Sequence, residues 1–241
     1  MSGEQSIKCY RCEVRESIVN LNGRKLCPIC ARNEINNAIR KNFLKSGLVD
    51  YESRFIILEL NGLEGLSKII EETLTKIAKK TTIYYQTFSL ELSSQSVDSY
   101  IHDAIIRSLE ICSKEKPNGV VMPFPAEIFM YLLISSAVSR DAGYLSLYTH
   151  YTKIGSCNFC FPLHNISLLN MEIVYGVESK FPVASFTHFL IWVKESLEGN
   201  QEILHSFHKS IELFATQRKC TRCGAFSESD ICKRCRDVNR Q

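Results

Sequence analysis

The amino-acid sequence predicts an α/β fold in which helices cover a parallel sheet and a four-cysteine zinc module flanks the sheet at each end of the chain. Three observations support this prediction. In the middle of the chain, short apolar runs alternate with longer segments of helical periodicity, the order typical of parallel sheets. Two sets of paired cysteines bracket that middle part. The 241 residues, 45% hydrophobic and 23% charged, suffice for one substantial core with small appendages.

Composition and charge define the broad class of protein. The net charge of +3 is too small to indicate nucleic-acid binding by itself. The N-terminal residues lack an apolar signal segment, and the apolar runs are shorter than a membrane span. We therefore expect a soluble cytoplasmic protein without a membrane partner. In that compartment the eleven cysteines are better explained as metal ligands than as disulfides.

The N-terminal module is predicted from the spacing C-x2-C-x14-C-x2-C. Its four cysteines are Cys9, Cys12, Cys27 and Cys30. Each close pair can form a knuckle, and four thiolates complete a tetrahedral Zn²⁺ site that has no open position, so its role would be structural. Residues 18–21 and the turn at Asn22 and Gly23 favour a β-hairpin between the two pairs.

A basic helix is predicted next, over residues 31–44. Its apolar positions recur on one face, and Arg32, Arg40 and Lys41 lie on or near the other face. Such cations are compatible with a solvated helix surface. They are also suited to contact the phosphates of RNA, because lysine and arginine neutralise backbone charge.

The predicted core begins with a strand, a glycine turn and a helix. Residues 55–58 form a short apolar run typical of a strand that is covered on both faces. Gly62 and Gly65 flank the turn, where free N–H groups at a helix N-terminus could bind phosphate. Leu63 hinders close approach, and Glu64 repels phosphate. The sequence therefore favours an ordinary strand-to-helix connection.

The remaining elements continue the strand–helix alternation and imply a parallel sheet. Their predicted ranges are a strand at 81–88, a helix at 97–113, a strand at 120–122, a helix ending near 139, a helix capped by Ser167, and helices at 185–197 and 202–215. The predicted domains are a zinc module with its basic helix at 1–46, the α/β domain at 47–216 and a zinc ribbon at 217–241.

A less regular stretch lies at residues 143–164. Cys157 and Cys160 form a single C-x2-C pair, and His150 and His164 are near enough in sequence to complete a metal site. Buried free thiols are the alternative explanation for this pair. Cys112 has no partner by spacing and is expected in the core.

The C-terminal ribbon is predicted from the spacing C-x2-C-x8-C-x2-C. Its cysteines are Cys220, Cys223, Cys232 and Cys235. Around them lie the cations Arg218, Lys219, Arg222, Lys233, Arg234, Arg236 and Arg240. This local basic patch is suited to RNA contact, and a solubilising tail is the alternative.

The layout of two four-cysteine modules around an α/β domain resembles the cytosolic tRNA thiolation proteins. The resemblance implies a Rossmann-like sheet of the PP-loop ATP pyrophosphatase type. The catalytic arm of that family carries a Ser-Gly-Gly-x-Asp-Ser loop after its first strand, whereas only Gly62 survives here and the aspartate is absent. Residues 119–143 and 161–165 look like the other arm, the cytoplasmic tRNA 2-thiolation protein 2 family, in which Pro162 and Leu163 match an Arg-Pro-Leu motif.

The resemblance implies a non-catalytic subunit of a heterodimer that 2-thiolates the wobble uridine, U34, of tRNA. The catalytic subunit would adenylate C2 of that uridine, and a thiocarboxylated ubiquitin-like carrier would deliver the sulfur. This chain would shape the complex, help to bind tRNA, hold two structural zinc ions and supply no catalytic or nucleotide-binding residue. Two alternatives are an active tRNA sulfurtransferase with an atypical loop and a zinc-ribbon interaction protein unrelated to thiolation.

Overall fold

The computed structural model describes residues 7–21, 23–78, 82–139, 141–197, 207, 210 and 218–237. The strands are β1 (Val19–Leu21), β2 (Arg24–Leu26), β3 (Arg54–Leu60), β4 (Tyr84–Leu90), β5 (Gly119–Val121), β6 (Tyr151–Ile154) and β7 (Cys157–Cys160). The α-helices are α1 (Pro28–Leu44), α2 (Glu64–Ala78), α3 (Val97–Glu115), α4 (Ala126–Ser139), α5 (Leu168–Tyr175), α6 (Ala184–Leu197) and α7 (Lys233–Asp237). A 3-10 helix spans Gly143–Leu147.

Five strands form the central sheet in the order β4-β3-β5-β7-β6. Strand β3 pairs in parallel with β4 and with β5, and β5 pairs in parallel with β7. The predicted alternation of strands and helices from β3 to α4 is confirmed, with small shifts of the boundaries. The apolar run of β3 lies at the centre of the sheet, and five of its seven residues are buried. A strand with both faces covered loses its alternation of polar and apolar residues, which explains the apolar run.

The hairpin of β6 and β7 is the main element that the sequence did not predict. These antiparallel strands occupy part of the stretch that was expected to be irregular. Each has only four residues, and polar residues such as Lys153 and Asn158 interrupt them, so no apolar run marks either strand. Gly155, with φ of 57°, begins the tight turn between them.

The N-terminal module has the predicted architecture. Strands β1 and β2 form an antiparallel hairpin, and Gly23 lies in its turn with φ of 76°. Helix α1 begins at Pro28, directly after Cys27, because proline needs no hydrogen-bond acceptor at the first helical position. One face of α1 is buried through Ile35, Ile39 and Phe43 and attaches the module to the core.

Two further expectations concern helices. The helix predicted at 202–215 lies outside the described residues, apart from 207 and 210. Among the helices that the structure describes, none has both the length and the apolar composition needed to cross a bilayer.

Candidate metal centres and nucleic-acid interface

The first four cysteines converge on one point. Cys9 and Cys12 come from the loop before β1, and Cys27 and Cys30 come from the start of α1. All four sulfur atoms lie within 4.8 Å of one another, and the Sγ atoms of Cys12 and Cys27 are 3.8 Å apart. Metal–sulfur bonds of about 2.3 Å in a tetrahedron separate the sulfurs by about 3.8 Å. The arrangement therefore fits one tetrahedral ion.

Backbone hydrogen bonds favour thiolates in this module. Burial raises the pKa of Cys9, but backbone N–H groups of Cys27, Cys12 and Arg11 outweigh that effect and bring the pKa to about 6. Burial and the neighbouring cysteines raise the pKa of Cys30 to about 12. Binding of a cation would thus release protons from the set, as expected for thiolate ligands.

The C-terminal cysteines form a second site of the same kind. Their sulfur atoms also lie within 4.8 Å of one another, and all four residues are buried. The Sγ atoms of Cys223 and Cys232 are 3.6 Å apart, and the N–H of Cys232 donates to Sγ of Cys220 at 3.3 Å. Burial raises the pKa of Cys220, but backbone N–H groups outweigh it and bring the pKa to about 7. This set also fits a single tetrahedral ion.

The ribbon is fixed to the α/β domain through Arg234. Its guanidinium donates to the carboxylates of Asp98 and Asp141, at 3.0 Å each, and lies 5.6 Å from the ring centre of Tyr144. The Tyr144 hydroxyl is 2.6 Å from Nδ1 of the buried His102. Burial raises the pKa of the Cys223 thiol to about 11, although a hydrogen bond with the Tyr144 side chain opposes that rise. The C-terminal cysteine set is therefore linked through Tyr144 to Arg234 and to the buried His102.

The third possible metal site, at Cys157 and Cys160, is not formed. Cys157 makes a disulfide with Cys112, so the expectation that Cys112 has no partner was wrong. Cys157 and Cys160 lie three residues apart on β7, so their side chains point to opposite faces of the sheet. Cys160 is buried, and burial raises its pKa to about 12. The ring centres of His150 and His164 are 4.6 Å apart, in an edge-to-face arrangement.

Several of the cations predicted to bind RNA have partners within the protein. Arg32 donates to the carbonyl oxygen of Val174 at 3.0 Å. Lys219 donates to the carbonyl oxygen of Ser146 at 3.2 Å, and Arg222 donates to that of Cys235 at 3.3 Å. With Arg234, these side chains stabilise the fold of the chain. The exposed ribbon cations with neither an ion pair nor a side-chain hydrogen bond among the described contacts are Arg218, Lys233 and Arg236. Arg240 lies outside the described residues.

A shallow, open basic groove lies on the surface of the C-terminal end of α1. Arg40, Lys41 and Lys45 line it together with Asn37 and Leu44. No ion pair involves these three cations within the described parts of the chain. The spacing of α1 accounts for the cluster, because residues four apart lie on one helix face.

His150 extends this groove beyond α1. Its Nε2 lies 3.5 Å from Nζ of Lys45, and its buried Nδ1 has no hydrogen-bond partner. The buried Nε of Arg40 also has none. Burial, followed by the charges of Lys45 and Lys41, lowers the pKa of His150. The sequence linked His150 only to a metal site, because the strand that brings it to α1 was not recognised.

The turn between β3 and α2 is closed by the chain itself. Gly62 has φ of 86°, and its N–H donates to the Glu64 carboxylate at 3.0 Å. A Cβ atom at Gly62 would lie 2.6 Å from the carbonyl oxygen of Lys180 and 2.8 Å from Cα of Phe181. A Cβ atom at Gly65 would similarly lie 3.0 Å from Val177. Residues 177–181 therefore cover the position where a phosphate would approach the turn.

Comparison with known proteins identifies the fold. Neither a family model nor a curated protein matches the sequence. Among solved structures, the chain is similar to the U34-tRNA thiolase NcsA from Methanococcus maripaludis with its 4Fe-4S cluster. The TM-score is 0.64 at 14% identity, over 97% of this chain and 96% of that chain. The predicted fold class is confirmed. At this identity, the similarity establishes the shared fold.

Substitution of Gly62 tests the contact that closes the turn. We expect Gly62→Ala to lower the free energy of unfolding by about 1–2 kcal/mol through the left-handed backbone and by about 1–3 kcal/mol more through overpacking. Gly176→Ala is the matched control, since Gly176 has φ of 66° and nothing within 4 Å of its Cβ position. Urea denaturation of both variants measures the difference. Equal losses would show that residues 177–181 do not press on the turn.

Metal analysis tests the two cysteine sites. We expect two metal ions per chain, one for each set of four cysteines. Cys27→Ser should lose one ion and open the N-terminal module to proteolysis, because metal binding energy is folding energy in so small a unit. Cys160→Ser, which removes a buried thiol outside both sets, should keep both ions. Elemental analysis of the purified protein decides, and a full metal content in Cys27→Ser would contradict the assignment.

Proposed function

We propose that this chain is the non-catalytic subunit of a cytosolic heterodimer that 2-thiolates U34 of tRNA. One observation carries the proposal. The chain shares the fold of a U34-tRNA thiolase over nearly its whole length, yet its own groups close the turn after β3. The fold supports a place in tRNA thiolation, and the closed turn supports a role without ATP chemistry. The catalytic subunit would supply that chemistry.

The closed turn opposes nucleotide binding in two ways. A phosphate at Gly62 would have to displace the Glu64 carboxylate from the backbone N–H that anions use at helix N-termini. It would also have to displace residues 177–181, whose backbone touches the glycine. Leu63 is fully buried, so opening of the turn would also expose an apolar side chain to water. These contacts favour a subunit that binds no ATP.

The cysteines also favour a non-catalytic subunit. A nucleophilic cysteine needs access to its substrate and a pKa that allows a thiolate. Eight of the eleven cysteines lie in the two sets of four, and Cys112 and Cys157, which form a disulfide, are both buried. The remaining one, Cys160, is buried with a pKa of about 12. Sulfur transfer from a ubiquitin-like carrier would therefore occur on the partner subunit.

Both metal sites are suited to structural zinc. Each holds four sulfur atoms within 4.8 Å of one another, which is the compact arrangement of a single ion. In a 4Fe-4S cluster each thiolate binds a different iron, so the ligating sulfurs stand further apart. Four cysteine ligands also leave no position for substrate. Zinc at these sites would hold the N-terminal module and the ribbon in shape.

The tRNA would contact the basic surfaces beside the two modules. The groove of Arg40, Lys41, Lys45 and His150 carries charge that no described carboxylate neutralises. The ribbon adds the exposed cations Arg218, Lys233 and Arg236. Phosphate contacts of this kind supply affinity and orientation without reading sequence. Recognition of the modified uridine would then rest with the catalytic subunit.

Nucleotide titration separates this proposal from an active sulfurtransferase. We expect no calorimetric signal when ATP and Mg²⁺ are added to the isolated chain, because Glu64 and residues 177–181 occupy the phosphate position. The purified heterodimer should bind ATP at one site only. Micromolar binding by this chain alone would overturn the non-catalytic assignment. Loss of the chain from the source cell should remove 2-thiouridine from U34, and unchanged thiolation would favour an unrelated zinc-ribbon protein.

Charge removal tests the RNA groove in the heterodimer. We expect Lys41→Gln with Lys45→Gln to weaken tRNA binding and to reduce the slope of log affinity against log salt by about one for each lysine. Lys68→Gln with Lys114→Gln is the matched control, because it removes the same charge from exposed positions on α2 and α3. Filter binding over a range of salt concentrations gives both slopes. Equal slopes for the two double variants would exclude the groove as a contact.

A further inference from the structure

Two side chains from distant parts of the sequence meet at the end of the basic groove. Lys45 directly follows α1 and His150 directly precedes β6, yet Nζ of the lysine and Nε2 of the histidine are 3.5 Å apart. The backbone N–H of Phe161, which directly follows β7, donates to the carbonyl oxygen of His150 at 3.1 Å. The sheet therefore holds the imidazole beside the exposed lysine.

The direction of the hydrogen bond between these side chains follows from the chemistry of lysine. An ammonium group has three donors and no acceptor, so Nε2 of His150 has to be the acceptor. The ring is then neutral and carries its proton on Nδ1, which is buried without a hydrogen-bond partner among the described residues. Nε2 is thus the ring atom at which His150 can take up a further proton.

The groups around His150 favour the neutral ring in the free chain. Lys45 and Lys41 face it from the end of α1, and the ring of His164 lies on another side, with its centre 4.6 Å away. The ion pairs of the described residues include none of these four side chains. Burial, followed by the charges of Lys45 and Lys41, lowers the pKa of His150. A proton on Nε2 would therefore face an ammonium group without a counter-ion.

An anion beside this pair would reverse the preference. Phosphate oxygens accept hydrogen bonds from charged nitrogen donors at about 2.7–2.9 Å, and one phosphate offers more than one such oxygen. It could accept from Nζ of Lys45 and, after proton uptake, from Nε2 of His150 as well. Its negative charge offsets the repulsion between the two cations and raises the pKa of His150. The anion and the proton therefore stabilise each other at this position.

We propose that a backbone phosphate of tRNA binds between Lys45 and His150, and that its binding adds a proton to Nε2 of His150. The hydrogen bond between the two side chains is replaced by one bond from each of them to the phosphate. The proton comes from solvent, and no covalent bond between heavy atoms changes. This inference rests on the proposed tRNA contact, to which it adds a defined phosphate position and a dependence of binding on pH.

The sign of the pH dependence follows from the two states of His150. Its pKa is lowered in the free chain and higher in the complex, so the complex binds more protons. Affinity for tRNA is accordingly greatest below the free-chain pKa, declines as the pH rises, and levels off above the pKa of the complex. Lysine contacts alone would give no such dependence near neutral pH, because the ammonium group keeps its charge there.

Replacement of His150 tests the proton-linked contact in the full chain. We expect the dissociation constant for tRNA to increase at least about fivefold between about pH 5 and 8 at constant ionic strength. His150→Gln should lose most of this increase, because glutamine does not titrate. His188→Gln is the matched control, since His188 is exposed on α6 and its replacement should preserve the pH dependence. Filter binding gives the constants for all three chains.

Both cysteine sets need to be filled with zinc in these measurements. The free thiols of Cys9 and Cys220, with pKa values of about 6 and about 7, would otherwise titrate in the same range. Bound metal keeps them as thiolates. The remaining pH dependence that distinguishes wild type from His150→Gln then belongs to the imidazole.

Calorimetry of the wild-type chain adds a readout that requires no variant. Titration with tRNA in two buffers of different ionisation enthalpy should show uptake of at most about one proton per bound chain. Binding without proton uptake, or an unchanged pH dependence in His150→Gln, would refute this inference and leave the role in thiolation standing. Absence of tRNA binding would refute the RNA contact as well. The 2-thiouridine content of U34 in cells that lack the chain tests the role in thiolation separately.

Discussion

The parallel pairing of β3 with β4 on one side and β5 on the other is the interaction on which the rest of the structure depends. Backbone groups in a buried strand have no access to water, so the two neighbouring strands must satisfy them. Because β3, β5 and β7 run in the same direction, their carboxyl ends meet at one edge of the sheet. The β3–α2 turn and the segment that follows β7 both begin there. The antiparallel return of β6 brings His150 beside α1.

Structural features that depend on residues close together in the chain could be predicted from the sequence. Contacts between distant residues could not. Cysteine spacing located both sets of four converging cysteines, since the members of each C-x2-C pair are close in the chain. The apolar run of β3 and the periodicity of α2 located the core. The disulfide of Cys112 and Cys157 joins a helix to a strand 45 residues away, and no spacing rule relates them. The hairpin of β6 and β7 was missed because four-residue strands carry too few residues to show a period.

Clustered cations in a sequence do not all have the same role in the folded chain. The C-terminal segment is basic throughout, but Arg234 lies between two aspartates and an aromatic ring, where a guanidinium suits planar and bidentate contacts. Lys219 and Arg222 bind carbonyl oxygens within the protein. By contrast, Lys41 on α1 and Lys45 directly after it have no described carboxylate partner, although their segment is less basic. The net charge of a segment therefore overestimates the number of unpaired cations in the ribbon and underestimates it in the groove.

The contact of residues 177–181 with the β3–α2 turn acts as a ligand that is tethered to its own site. A tethered group has a high effective concentration, so a free anion competes poorly with it even where the intrinsic affinities are similar. The two parts of the contact lie more than a hundred residues apart in the chain. No single substitution removes both the Glu64 carboxylate and the covering backbone. An open phosphate-binding turn at this position would consequently require coordinated changes in two distant segments.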